Sequence, residues 1–135
     1  MKSFRDQIRE LKRKVRERAE TIADAKVRVY IDPDAKYPNG KRVEDVGRYV
    51  EYGTSSMAPR PFIRTAMQEN SAAWRESLHK AVLMVATGKG NNYKAVLKGS
   101  ADLIARDVKS SCEEFGAVDT GLLRDSVKSE VVSNG

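Results

Sequence analysis

Pro59 and Pro61 stand one residue apart in Glu51-Tyr52-Gly53-Thr54-Ser55-Ser56-Met57-Ala58-Pro59-Arg60-Pro61-Phe62-Ile63-Arg64, and no other stretch restricts the chain as strongly. Each proline lacks an N–H donor and pushes its predecessor toward extended geometry, so Ala58 to Arg60 can be neither regular helix nor central strand. On the N-terminal side, Glu44 to Tyr52 reads as a short helix burying Val46, Tyr49 and Val50, with Gly53 as a left-handed C-cap. On the C-terminal side, Pro61 suits the first turn of a helix. From there Phe62, Ile63, Ala66, Met67, Trp74, Leu78, Val82 and Val85 carry an apolar face to about Ala86. The chain must therefore build a stiff loop between two helices.

The flanking segments supply the rest of the architecture. From Ser3 to about Asp24, Phe4, Ile8, Leu11, Val15, Ala19 and Ile22 recur at three- and four-residue intervals, which predicts one buried helical stripe. Ser3 with Asp6 three residues on is a weak capping box. Lys26 to Asp32 changes period: Val27, Val29 and Ile31 alternate with Arg28 and Tyr30, the pattern of a half-buried strand. Asp32-Pro33-Asp34 stops it, and the Asn-Gly of Tyr37-Pro38-Asn39-Gly40 suits positive φ in a reversal toward Lys41 to Val43. After the break at Gly88-Lys89-Gly90-Asn91, a second long amphipathic helix is expected from Tyr93 to about Phe115. It would turn Tyr93, Val96, Leu97, Leu103, Ile104, Val108, Cys112 and Phe115 inward and end at Gly116. Alternation at Val127, Ser129 and Val131 predicts a last strand. The expected fold is α+β: a small antiparallel sheet packed against two long helices, with an additional N-terminal amphipathic helix. With 135 residues, one domain over 1–135 is expected, a basic helix at 1–24 preceding an α+β core at 25–132.

Charge is unevenly placed. The chain carries +6, and residues 1–20 hold eight basic and four acidic side chains, so that segment supplies +4. Arg5, Arg9, Lys12 and Arg16 line up beside the apolar stripe. Such a row suits phosphates or an acidic partner. It equally suits a solvated face eased by pairs such as Glu10 with Lys14. No apolar run approaches the roughly 18 residues of a membrane span, and the basic N-terminus lacks the apolar segment of a signal peptide. No membrane partner is therefore expected.

The sequence offers little for catalysis or metal binding. Cys112 is the one cysteine and His79 the one histidine, which leaves no intramolecular disulfide, cysteine zinc cluster or visible Ser/His/Asp set. Lys89 between two glycines is not a phosphate loop, because Leu83 and Gly90 stand where that motif needs a glycine and a Ser or Thr. Asp119-Thr120-Gly121 matches the tripeptide of aspartic proteases, whose paired carboxylates share a proton. Those enzymes are nearly all-β, and this chain is mostly helical in pattern. The structural reading has Asp119 or Thr120 capping a short turn that carries Leu122 and Leu123 inward. No catalytic residue, metal site or cofactor is expected.

Two blocks taken together carry a resemblance. Tyr49-Val50-Glu51-Tyr52-Gly53-Thr54 with Pro59-Arg60-Pro61-Phe62-Ile63-Arg64-Thr65-Ala66, and Val118-Asp119-Thr120-Gly121-Leu122-Leu123-Arg124-Asp125-Ser126-Val127, resemble two signatures of a family of tailed-bacteriophage neck proteins. These are the head-tail joining or tail-completion proteins. The resemblance implies a non-enzymatic virion assembly protein forming a homo-oligomeric ring at the head-tail junction or the head-proximal end of the tail. It would be found in the virion, and in the host cytoplasm during assembly. Its partners would be other phage neck, connector or tail proteins, with non-specific contact to DNA in the channel. In that setting Thr54, Ser55, Met57, Pro59, Arg60, Pro61 and Phe62 become candidate subunit-interface residues, since a proline-stiffened loop loses little entropy on docking. Phe62 would be either the apolar anchor of that contact or a member of its own core. Arg5, Arg9, Lys12 and Arg16 become the candidate DNA-facing set. The alternative is a basic, sequence-independent nucleic-acid-binding domain acting through the N-terminal helix.

Overall fold

Ser3 starts the first helix by accepting a hydrogen bond at Oγ from the Asp6 N–H at 3.2 Å, as its position before an amphipathic run requires. The computed structural model describes residues 1–90, 92–116 and 121–133. In chain order the elements are α1 (Phe4–Ala23), β1 (Ala25–Ile31), α2 (Val43–Tyr52), α3 (Phe62–Ala86), α4 (Tyr93–Glu114), α5 (Leu122–Asp125) and β2 (Val127–Ser133). The fold is α+β, with long helices packed on a two-stranded antiparallel sheet and a helix at the N-terminus.

The sheet pairs the strand that follows α1 with the last strand of the described chain. Ala25 faces Ser133, Val29 faces Ser129 and Ile31 faces Val127. Asp32 extends the ladder by donating its N–H to the Ser126 carbonyl at 2.8 Å. One face of the sheet lies on α4. Lys98 on that helix donates through Nζ to the Ser129 carbonyl (2.8 Å) and Oγ (2.7 Å), and Ser129 Oγ donates to Asp102 at 2.7 Å. Lys98 Nζ also lies 2.9 Å from Asp102 Oδ1, and the hydrogen bonds to Asp102 from Lys98 first and Ser129 second hold its carboxyl below its ordinary pKa.

α3 and α4 form an antiparallel helical hairpin. α3 ends in a Schellman arrangement, with Lys89 N–H bonded to Met84 O at 2.8 Å and Gly88 N–H to Val85 O at 3.1 Å. Asn92 opens α4 by accepting from the N–H groups of Lys94 and Ala95. Around this hairpin sit two apolar clusters. The larger joins Val43, Val50, Phe62, Ala66, Val108, Cys112, Leu123 and Val127; the smaller joins Ile22 to Ala81, Val85 and Leu97. Burying Cys112 pushes its thiol up to about 11.

Several sequence expectations change. The apolar stripe of α1 is not buried along its length. Ile22 is buried and Val15 and Ala19 are half-buried, but Phe4, Ile8 and Leu11 are 76%, 37% and 59% exposed. The body offers α1 a landing only near the C-terminal end of α3, so the rest of the stripe has nothing to cover it. Tyr49, Met67 and Val82, expected inward, are exposed at the edges of their helical faces. Of Asn39 and Gly40 only Gly40 takes a positive φ, and the Tyr37 and Lys41 backbones close the reversal at 2.8 Å.

Candidate functional site

The loop carrying the two prolines is folded onto its own body. Gly53 has φ 77° and ψ 175°, a positive-φ region essentially restricted to glycine and distinct from the expected left-handed helical cap. A Cβ there would lie 2.8 Å from both Met57 O and Pro59 N. The chain then reverses tightly, with Thr54 and Met57 exchanging backbone hydrogen bonds at 2.9 and 3.3 Å. Arg60 N–H bonds back to Val50 O at 2.7 Å, tying the loop to the last turn of α2.

Pro61 precedes α3 instead of lying in its first turn. At φ −77° and ψ 72° it forms an inverse γ-turn, with Phe62 N–H donating to Arg60 O at 2.8 Å. That conformation is incompatible with helix, so the helix starts one residue later. Its start has no capping side chain of its own. Glu51, buried at 3% exposure, supplies one from α2: Oε1 accepts from the Arg64 N–H at 2.9 Å. A carboxylate suits the positive end of a 25-residue helix. Arg64 closes the clasp by donating from Nη2 to the Glu51 carbonyl, stacking over the Tyr52 ring at 4.9 Å and placing Nε 3.9 Å from Glu51 Oε2. No sequence expectation gives Glu51 or Arg64 this role. The available signal was the lack of Ser, Thr, Asp or Asn before Phe62, which obliges the helix to find a distant acceptor.

Phe62 is fully buried in the larger cluster, and its carbonyl accepts from Ser111 Oγ at 2.7 Å. It is therefore a core residue and is corrected from the interface set. Thr54, Ser55 and Pro59 are exposed, while Met57, Arg60 and Pro61 are half-buried. Arg60 spans the loop, donating to Gly116 O at 3.2 Å and approaching Met57 Sδ at 3.9 Å.

Thr54, Ser56, Met57 and Arg60 form one wall of a groove of about 510 Å³. Lys41, Val46 and Tyr49 also line it, as do Gly121, Leu122 and Leu123 from the second block. The two sequence blocks thus meet across one surface depression. Val118, Asp119 and Thr120, with the cap expected from Asp119 or Thr120, lie outside the described residues. α5 follows Gly121 and buries Leu123 as expected. Arg124 bridges Glu113 and Asp125, bonds that raise its pKa further.

The second candidate set is elsewhere. Arg5, Arg9, Lys12 and Arg16 are all exposed on α1. Lys2 and Lys14 pair with Glu10, and Arg13 with Glu17, whereas those four have no carboxylate at ion-pair distance among the described residues. The bond from Lys2 is the main reason that the Glu10 carboxyl is held below its ordinary pKa. His79 is exposed on α3. Among the described residues no group of three or more His, Cys, Asp or Glu is placed to hold a metal ion, and no helix is long and apolar enough to cross a membrane. Comparison with protein-family models, with curated proteins and with solved structures returns no match.

Proposed function

We propose that this chain is a non-enzymatic assembly protein of a tailed bacteriophage, forming a ring at the head-tail junction or at the head-proximal end of the tail. The observation that carries the reading is the convergence of both blocks of the resemblance on one groove. Glu51, Gly53 and Arg64 fix the loop beside that groove, and Thr54, Ser55, Met57, Pro59 and Arg60 form the contact set, Thr54, Ser55 and Pro59 exposed and Met57 and Arg60 half-buried. A loop already fixed by its own hydrogen bonds loses little freedom when a neighbour docks on it. The test is assembly. In a phage encoding this chain, deleting the gene should leave DNA-filled heads and separate or overlong tails. The purified chain should form rings visible by negative stain, and Arg60→Glu should lower their mass while the monomer stays folded. Normal virions from the deletion would sink the proposal.

The exposed row Arg5, Arg9, Lys12 and Arg16, without ion-pair partners among the described residues, favours a second reading, a sequence-independent contact with nucleic acid. Binding to duplex DNA that weakens steeply with salt, by a chain that stays monomeric at high concentration, would select it over the ring.

A further inference from the structure

α1 is 20 residues long, about 30 Å, yet only its last turns are held. Ile22 packs among Ala81, Val85 and Leu97, and four residues earlier the Arg18 guanidinium lies against Gly88, just past the end of α3. The helix therefore runs outward beyond the α3 terminus, and residues 1–14 are exposed apart from half-buried Glu10. This projecting arm presents Phe4, Ile8 and Leu11 on one face, the spacing by which an amphipathic helix anchors in a groove. Arg5, Arg9, Lys12 and Arg16, without ion-pair partners among the described residues, lie roughly 100° round the helix from them. Its other flank is neutralised by the Glu10 and Glu17 pairs.

A matching surface lies at the other end of the molecule. Between β1 and the first half of α3 is a groove of about 240 Å³, lined among others by Val29, Ile31, Ile63, Met67, Trp74 and Ile104 of α4. Nothing charged lines it, and Met67 at its rim is 53% exposed. Just past Ile31, Asp32 and Asp34 have no basic partner among the described residues, and Asp34 is exposed. The arm of the same molecule does not reach this groove. Trp74 lies about 20 Å along α3 from Gly88, and the arm leaves in the opposite direction.

We infer that the arm of one copy docks in the β1–α3 groove of the next, with Phe4, Ile8 and Leu11 entering the apolar cleft and the arginine flank meeting Asp32 and Asp34. A second copy is the occupant because each chain carries one arm and one groove, at opposite ends, with complementary apolar and charged parts. Such a contact is head-to-tail: it leaves a free arm and a free groove at the two ends of every chain of copies, and it closes only as a ring. The inference rests on the assembly reading above for that closure alone.

Two variants and their mixture test it, each read by light scattering on the full chain with circular dichroism as the check on folding. Leu11→Glu spoils the arm and Met67→Glu spoils the groove, both at exposed positions. Wild type is expected to self-associate beyond the dimer with rising concentration, and each variant alone to remain at the monomer mass. Mixed one to one, they should stop at a heterodimer, because the arm of the Met67→Glu chain fits the groove of the Leu11→Glu chain and the other pair of surfaces is disabled. Arg9→Glu should weaken association at least tenfold, and Asp34→Lys in the same chain should recover part of it. Folded variants that keep wild-type mass, or a mixture that stays monomeric, overturn the inference while leaving the ring proposal to its own test. A wild-type chain that remains monomeric but binds anionic phospholipid vesicles in a Leu11-dependent way assigns the stripe to a lipid surface and also overturns it. Conversely, a heterodimer formed by a protein whose gene is dispensable for virions removes the phage reading and keeps the contact.

Discussion

Cys112 shows how far one side chain can be read for behaviour. It has no exposed surface, and burial raises its thiol from 9.0 to about 11. Only the thiolate reacts readily, so both access and ionisation oppose modification in the folded protein. A thiol reagent at pH 8 is expected to label Cys112 no faster than the chain unfolds, with prompt labelling in denaturant as the control. Fast labelling of native protein would place the sulfur at the surface. The sign of the linkage follows: the folded state holds this proton more tightly, so the stabilisation is complete below the unfolded thiol's pKa and falls as pH rises toward 11. Phe62 carries a different lesson. Its sequence position beside two prolines suited either a neighbour or the core, and only packing against Ala66, Val108 and Cys112 distinguishes them. Truncating it would cost about 3–5 kcal/mol, so a loss of assembly in such a variant would report unfolding and not contact.

Helices were the most legible elements, and their ends the least. α4 follows the apolar periodicity at every residue expected inward, and α3 does so except at Met67 and Val82, because each helix presents an apolar stripe to the rest of the core. The start of α3 depends on a carboxylate eleven residues before its first residue in the chain, a pairing no local window contains. Removing it makes an element-scale prediction: Glu51→Ala leaves the Arg64 N–H without its acceptor and should destabilise the fold by about 2 kcal/mol. Amide exchange should accelerate first at Phe62 to Arg64, and unchanged protection there would show that the cap is dispensable. α1 was misread for the opposite reason. Its stripe satisfies every local rule for burial, but whether a partner surface exists is a property of the remaining chain, and here that surface ends near Gly88. The basic row was visible as a row; that its members have no ion-pair partner among the described residues needed the geometry. The meeting of the two sequence blocks across one groove likewise depends on how α2 packs against α5, where a Cβ on Gly47 would lie 3.2 Å from Leu123.

At the scale of the whole molecule, the helical hairpin is local in sequence while the sheet is not. α3 and α4 are joined by a short turn, but the pairing of Arg28 with Glu130 spans 102 residues. Closing a loop of that size gives no return until both strands are present, so such pairings tend to form late. Kinetic analysis of conservative variants should therefore give high φ-values for Ala81→Gly and Leu97→Ala in the hairpin, and values near zero for Val29→Ala and Val131→Ala in the strands. High values in the strands would reverse that order. On the ribosome the same wiring sets a timetable: β1 emerges early, with its alternating valines and both edges open, and waits through the synthesis of four helices before β2 arrives to pair with it. For that interval it is a strand in search of a partner, and a neighbouring nascent chain offers one. In a parallel in-register β1–β1 pair Lys26 and Arg28 would face their own counterparts, and in an antiparallel pair centred on Arg28 that residue would still face itself, so like-charge repulsion works against the mistake.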